Sequence, residues 1–196
     1  MKKYVGQFFI TVITLVLFMG VVAYATDSRS ILYDIATDTY TIDGDLAGGD
    51  RYYGEMYTMN NTTSTGITAQ STYVRIGGIE SGQVVVSSGS LNGFTHVSGS
   101  STVLNAGIYL ANGAISTNGG NNKEYHYTIG VNNVQQDNCH VPRKMGAGGD
   151  VGSIVISCIL DLSANDVLTL MAENVSDGTD IIVNDFNLNW LYIGAT

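Results

Sequence analysis

The side chains that most often do chemistry are scattered along this sequence and form no recognisable motif. Its three histidines are His96, His126 and His140, and its two cysteines are Cys139 and Cys158. A zinc site usually places ligands two to four residues apart, twice over, and that spacing is absent. His126 alternates with tyrosines, which is typical of one face of a strand. We therefore predict no metal and no cofactor.

The carboxylates offer no better catalytic pattern. Asp150, Asp161, Asp166 and Glu173 could supply a pair of the kind that glycosidases use, but nothing singles out two of them. Asp150 and Asp166 fit turn positions instead. No G-x-S-x-G sequence surrounds a serine, and GAGGD at 146–150 lacks the Lys and hydroxyl residue of a phosphate-binding loop. We expect a protein that is not an enzyme.

Two interpretations of the cysteines stay open. Cys139 and Cys158 could form a disulfide if the chain is exported, because disulfides persist in oxidising compartments. Alternatively, Cys158 is a buried free thiol, since it alternates with Ile156 and Leu160 in an apolar run. Which interpretation holds depends on where Cys139 lies in the fold.

The composition favours strands and turns. The chain has 196 residues, of which 44% are apolar and only 13% are charged, with 24 Gly and one Pro. Ser, Thr, Asn and Gly fill the polar positions, which suits short strands better than amphipathic helices. The net charge is −9, from 17 acidic and eight basic residues. Such a surface repels nucleic acid, because that binding depends on Lys and Arg neutralising phosphates.

The first 25 residues are a membrane segment or a signal peptide. Two lysines precede 22 residues without charge, and about 20 helical residues cross a bilayer. An N-terminal hydrophobic helix could therefore anchor the chain. The same stretch fits a secretory signal cut after Ala25. Both interpretations place the rest of the chain across or facing away from a membrane. The apolar residues of this membrane segment include Tyr4, Phe8, Phe9, Leu15, Leu17, Phe18 and Val22.

The remainder divides into an acidic linker over 26–53 and a head domain over 54–196. The linker predicts at most one short strand, around Ile31–Ile35. Its DGDLAGGD stretch at 43–50 lacks the third ligand and the later Glu of a calcium loop, so we interpret it as an acidic turn. From residue 54 onward, eight to ten strands separated by turns predict an all-β sandwich or barrel.

Several strands carry apolar residues that predict the core. The even-numbered side chains of 182–192 should fill the sandwich. Strands 154–160 and 167–172 are apolar on both faces, with Val155 and Ile159 behind the first and Val167 and Met171 behind the second. A sandwich strand in a monomer has one wet face, so we predict that the second faces form a subunit interface. The predicted core and trimer residues are Ile154, Ile156, Leu168, Leu170, Phe186, Leu188, Trp190 and Tyr192.

An ordered series of segments carries a family resemblance, and Asn165-Asp166 holds a turn typical of that family. The series resembles the jelly-roll heads of the tumour necrosis factor and complement-head superfamily, in the form found in bacteriophages and marine viruses. The segments are GEMY (54–57), LNGFTH (91–96), NNKEYHYTIGVNN (121–133), DVGSIVISCILDLSANDVLTLMAEN (150–174) and FNLNWLYIG (186–194). The resemblance implies a jelly roll of two antiparallel sheets that assembles as a homotrimer.

The resemblance and the leader together predict a viral structural protein. We expect a spike, fibre head or capsid decoration at the virion surface or the host cell surface, held to a membrane if the leader is uncleaved. Loops 61–71 and 135–149 would contact a host glycan or protein receptor. The alternative is an exported carbohydrate-binding or cell-surface adhesion module of bacterial or prophage origin. Its sign would be exposed aromatics on one surface, such as Tyr52, Tyr53 and Tyr109.

Overall fold

The computed structural model describes residues 30–34, 39–43, 51–78, 86–147 and 149–195. These belong to two compact units, residues 1–50 and 51–196. In the first unit, β1 (Ser30–Asp34) and β2 (Thr39–Asp43) pair antiparallel. The linker therefore holds a hairpin where the sequence predicted at most one strand.

The predicted membrane segment, with Tyr4, Phe8, Phe9, Leu15, Leu17, Phe18 and Val22, lies outside the described residues. Within the described part of the chain, no helix has the length and apolarity that a membrane crossing requires.

The second unit is a sandwich of two antiparallel sheets, as the sequence predicted. The five-stranded sheet contains β3 (Tyr53–Thr58), β5 (Ser87–Ser88), β8 (Gly107–Gly119), β12 (Val151–Leu162) and β14 (Ile181–Gly194). The seven-stranded sheet contains β4 (Val74–Ile76), β6 (Phe94–Val97), β7 (Ser100–Val103), β9 (Glu124–Val131), β10 (Val134–Gln135), β11 (Val141–Lys144) and β13 (Val167–Asn174). The strand order in the five-stranded sheet is β12-β8-β14-β3-β5, and the seven-stranded sheet is built around β9 and β13.

The strand pairs are nested, which identifies a jelly roll. The first strand of the unit, β3, pairs with the last, β14. Moving inward along the chain, β4 and β7 pair with β13, β8 pairs with β12, and β9 pairs with β11. Successive pairs alternate between the sheets, so a long hairpin is rolled into a double layer.

The core lies between the sheets and is centred on Trp190, which is 1% exposed. Gly54 stands opposite Trp190 in the pairing of β3 with β14, and a side chain at Gly54 would lie 2.9 Å from the indole ring. The missing side chain therefore leaves room for the only Trp of the chain. Other predicted core residues are also buried: Ile154, Ile156, Leu168, Leu170, Phe186 and Leu188, whereas Tyr192 is half-buried.

A β-bulge divides the inward face of β14. Its pairing with β8 shifts between Val183 and Asp185. Before the bulge the buried residues are Ile181 and Val183, and after it they are Phe186, Leu188 and Trp190. The extra residue of a bulge exchanges the two faces of a strand. The prediction that every even residue of 182–192 fills the core was therefore wrong for Ile182 and Asn184, which are half-buried.

Two further features are a change of sheet and a strand at a sheet edge. Between β7 and β8 the chain crosses from one sheet to the other at 104–106. Gly107, at φ +153°, then starts β8 beneath the ring of Tyr192. The predicted loop 135–149 contains β11, whose Pro142 is tolerated because the strand pairs only with β9.

The prediction that β13 has an interface face was wrong. Every residue from Leu168 to Asn174 is buried within a single subunit. Met171 occupies the space that a side chain at Gly130 on β9 would need, and Tyr73 and His126 lie against Glu173. Neighbouring groups of the same subunit thus cover the second face of this strand.

Candidate assembly and binding surface

The outward side of the five-stranded sheet, called the outer face here, carries exposed side chains that no other described residue of the second unit covers. Along β12 the exposed and buried positions alternate without a break. Val155 is 64% exposed and Ile159 is 56% exposed, although their neighbours Ile154 and Ile156 are buried. The predicted second apolar face of β12 therefore exists and is open in one subunit.

The strand register brings four large side chains of the outer face into one line, called the apolar row. Tyr53 stands opposite Leu191, Leu191 opposite Leu110, and Leu110 opposite Ile159. Three strand spacings of about 4.8 Å make this row roughly 14 Å long. Tyr53 is 41% exposed and Leu191 is 49% exposed. Because large apolar patches on a protein surface tend to be interaction sites, the apolar row is a candidate for one.

A line of polar side chains, called the polar row, lies beside the apolar row. It consists of Glu55, Asn189, Asn112 and Ser157, each two positions along its strand from the apolar row. The Asn189 side-chain amide donates to Asn187 Oδ1 at 2.5 Å, and the Asn187 amide donates to Glu55 Oε1 at 2.6 Å. These bonds connect two members of the polar row, Asn189 and Glu55, through the neighbouring side chain of Asn187.

A shallow groove lies beyond the polar row. It has a volume of about 410 Å³. Across the sheet, small Ala114 stands between Val155 on one side and Asn187 followed by Tyr57 on the other, and Asp185 and Ser153 are also part of the lining. Because Ala114 projects little from the sheet, the larger side chains around it enclose a depression.

The disulfide between Cys139 and Cys158 closes one side of the sandwich. Its Cα atoms are 5.2 Å apart, and both residues are buried. Cys139 ends the 3₁₀ turn Asp137–Cys139, and Cys158 lies in the edge strand β12. Next to the bond, the Asn138 side-chain amide donates to the backbone oxygen of Ile159 at 2.7 Å. Of the two interpretations of the cysteines, the structure has the bonded one.

The carboxylates named as catalytic candidates are placed separately. Asp150 accepts a hydrogen bond from the backbone of Gly146 at 2.8 Å, and Asp166 accepts one from Ser163 at 2.8 Å. Both therefore hold turns, in agreement with the sequence interpretation. Glu173 lies on the seven-stranded sheet beside His126. Among the described residues, no three His, Cys, Asp or Glu side chains are arranged to hold a metal ion.

The aromatic residues named as a sign of sugar binding do not share one exposed surface. Tyr109 points inward from β8 and is fully buried, and its hydroxyl donates to the Asn105 backbone oxygen at 2.8 Å. Burial, with smaller contributions from two neighbouring tyrosines, raises the pKa of Tyr109 to about 12. Tyr52 packs edge-on against Tyr192, with ring centres 5.3 Å apart. Tyr53 alone of the three is well exposed. The alternation along β8 could have identified Tyr109 as a core residue.

The sequence alone did not predict the apolar row. Strands β12 and β14 carry its residues at outward positions of an alternating pattern, and that signal is visible in the sequence. The alignment of Tyr53, Leu110, Ile159 and Leu191 into one line depends on the register of four strands that are distant in sequence. Register of this kind is set by tertiary packing and cannot be read from one strand.

No protein-family model matches the sequence, and no curated protein sequence matches it either. Solved structures are similar to the chain. Murine APRIL at pH 5.0 has 11% identity and a TM-score of 0.49, covering 72% of this chain and 99% of its own. Eiger TNF from S. frugiperda has 11% identity and a TM-score of 0.47, and the match covers 76% of this chain and 96% of the Eiger chain. The PRD1 vertex protein P5 has 16% identity and a TM-score of 0.44, and the match covers 75% of this chain and 100% of the P5 chain. At these identities and TM-scores the similarities carry no assignment of family or role, and the assignment of the fold rests on the nested strand pairs.

Proposed function

We propose that this chain is a non-enzymatic viral structural protein whose head assembles as a homotrimer at the virion surface and contributes to host attachment. The observation that carries the proposal is the exposed apolar row formed by Tyr53, Leu110, Ile159 and Leu191. The sequence resemblance to viral jelly-roll heads, stated above, gives the class of protein.

The apolar row supports assembly on energetic grounds. Burial of a few hundred Å² of apolar surface per subunit, at about 25 cal/mol per Å², stabilises an assembly by several kcal/mol. Assembly would also cover β12, a 12-residue edge strand that carries one charged side chain, Asp161. Uncovered edge strands of this length tend to pair with other chains.

The test is the oligomeric state of the full chain. Chemical cross-linking should give a ladder that ends at three subunits, and native mass spectrometry should give the trimer mass. Leu191→Asp places a charge in the apolar row and should yield monomers. Val97→Asp is the matched control, because Val97 is 67% exposed but lies on the other sheet, and it should remain trimeric. A wild-type chain that stays monomeric at micromolar concentration would refute the proposal.

A second candidate, an exported carbohydrate-binding module, is favoured by the groove. An aromatic ring at Tyr57, a carboxylate at Asp185 and hydroxyls at Ser116 and Ser153 are groups that contact sugars, and about 410 Å³ accommodates a small saccharide. The two candidates make different predictions, because an assembly that covers the outer face would also cover this groove. A monomer that binds in a glycan array would favour the second candidate, whereas a trimer without glycan hits would exclude it.

The leader determines how the head is held. We propose that residues 1–25 are either an uncleaved membrane anchor or a signal removed after Ala25. N-terminal sequencing of protein from native particles distinguishes them, since the mature chain would begin at Met1 or Thr26. The proposal of a non-enzymatic protein is tested separately by incubation with host envelope sugars, which should release no fragments.

A further inference from the structure

The described part of the first unit is a hairpin of two strands. Within the residues that the structure describes, β1 and β2 pair with each other and with no third strand. They belong to the compact unit of residues 1–50, which is distinct from the unit of residues 51–196. An isolated hairpin is at best marginally stable in water, and it is stabilised by a further strand or by packing of one face. A packed partner is therefore needed to keep this hairpin folded.

The register of the hairpin gathers apolar and aromatic residues on one face, called the hairpin face. Ile31 stands opposite Ile42, and Tyr33 stands opposite Tyr40. Directly opposed residues of an antiparallel pair lie on the same face of the sheet, and residues two apart along a strand share that face. The hairpin face is thus formed by two isoleucines and two tyrosines.

The opposite face of the hairpin is mainly polar. Its opposed pairs are Ser30 with Asp43, Leu32 with Thr41, and Asp34 with Thr39. All of these residues except Leu32 are polar or charged, so this face suits contact with water. Antiparallel sheets commonly pack one face and leave the other to solvent. The residue pattern of the hairpin therefore indicates which face a partner covers.

We propose that the hairpin faces of three copies of this chain pack against one another and form the stalk of the trimer. This inference rests on the homotrimer proposed above. The tether gives the physical reason, because only residues 44–52 join Asp43 of β2 to Tyr53 of β3. Nine extended residues span roughly 30 Å. Three hairpins attached to one trimer are therefore held at an effective concentration on the order of millimolar, which favours contacts that separate chains would not make.

A membrane surface fits the hairpin less well than a second copy does. Residues 26–50 contain six Asp and a single basic residue, Arg29. Anionic headgroups attract basic segments, so this acidic segment is repelled by them. In a trimer, Asp34 and Asp43 belong to the polar face, where water and salt screen the repulsion between copies. The charge pattern therefore favours packing between hairpins.

Cross-linking of an introduced thiol in the full chain tests the proposal. The two cysteines of the sequence are bonded to each other, so an introduced cysteine supplies the free thiol. Ile42→Cys places that thiol on the hairpin face, and Thr41→Cys, the matched control, places it on the polar face. A short bis-maleimide should link copies of Ile42→Cys into covalent dimers, because one reagent joins two of the three subunits, and the yield should not fall on dilution. Thr41→Cys should stay largely unlinked.

The outcomes separate this inference from the proposed function. Native mass spectrometry of each variant first establishes whether the chain is a trimer. A monomeric chain would refute the proposed trimer and the packed stalk together. A trimer in which Ile42→Cys is linked no more than Thr41→Cys would overturn the stalk alone.

Hydrogen exchange on chains without a new cysteine covers the case in which the substitutions disturb the hairpin. The amides of the two strands should exchange slowly in the wild-type trimer and lose that protection in the Leu191→Asp monomer, because the isolated hairpin opens readily. Equal protection in both forms would overturn the proposal. Protection that appears only when phosphatidylcholine vesicles are added would assign the hairpin face to a membrane and would overturn it as well.

Discussion

The disulfide between Cys139 and Cys158 should carry a large part of the stability of the head. Cys139→Ala/Cys158→Ala is the informative perturbation, because alanine avoids burying an unpaired hydroxyl at two sites that are 2% and 7% exposed. The bonded residues are 19 apart in sequence. Closing a loop of about 20 residues removes roughly 11 cal/mol/K of entropy from the unfolded chain, or about 3 kcal/mol at 25 °C.

Urea unfolding without reductant measures this contribution. With a slope of about 1–3 kcal/mol/M, a loss of about 3 kcal/mol lowers the midpoint by roughly 1–3 M. Dithiothreitol should move the wild-type midpoint to that of the double variant and should leave the variant unchanged. Equal midpoints for the oxidised wild type and the variant would refute the reasoning, since the bond would then contribute nothing to stability.

Two further predictions concern close packing and an exposed ion pair. A side chain at Gly113 would overlap the Leu188 side chain, whereas a side chain at Gly194 would have no atom within 4 Å. Gly113→Ala should therefore lower the free energy of unfolding by about 1–3 kcal/mol, and the control Gly194→Ala should change it little. Equal effects of the two substitutions in urea unfolding would contradict this prediction. A hydrogen bond from Lys123, 2.6 Å away, is the main cause that holds the pKa of Asp177 well below its usual range. The stabilisation should therefore be complete above about pH 4 and decline progressively as the pH falls below that value. It should also weaken with salt, because the pair is exposed. A difference between wild type and Asp177→Asn that does not change with pH would count against it.

The alternation of apolar and polar residues predicted the sandwich correctly for strands that keep the same face inward along their whole length. In β12 that pattern continues from Val151 to Leu162, and the structure follows it at every position. In the closing strand β14 the alternation is present on both sides of the bulge, but the buried positions are odd before it and even after it. Since a bulge is created by the pairing of two strands distant in sequence, no local pattern marks its position between Val183 and Asp185.

The strand β13 shows why composition alone did not identify which apolar faces are exposed. Its apolar residues on both faces suggested a second subunit, but the missing side chain of Gly130 lets Met171 be covered within its own subunit. The sequence alone also did not decide whether Cys139 and Cys158 are bonded, because the bond depends on the 3₁₀ turn lying beside the edge strand β12. Both outcomes depend on which elements become neighbours, and that information is distributed over the whole fold.

The pairing of β3 with β14 constrains how the protein is made. Asn187 and Glu55, which share a hydrogen bond, are 132 positions apart. At about 5–20 residues per second, a ribosome needs roughly 7–26 s to make the intervening chain. During that time β14 does not exist, and the apolar side chains of β3 that pack against it stay available to other nascent chains or to chaperones. Closure of the five-stranded sheet must then be a late step, and a chain with such distant contacts folds slowly.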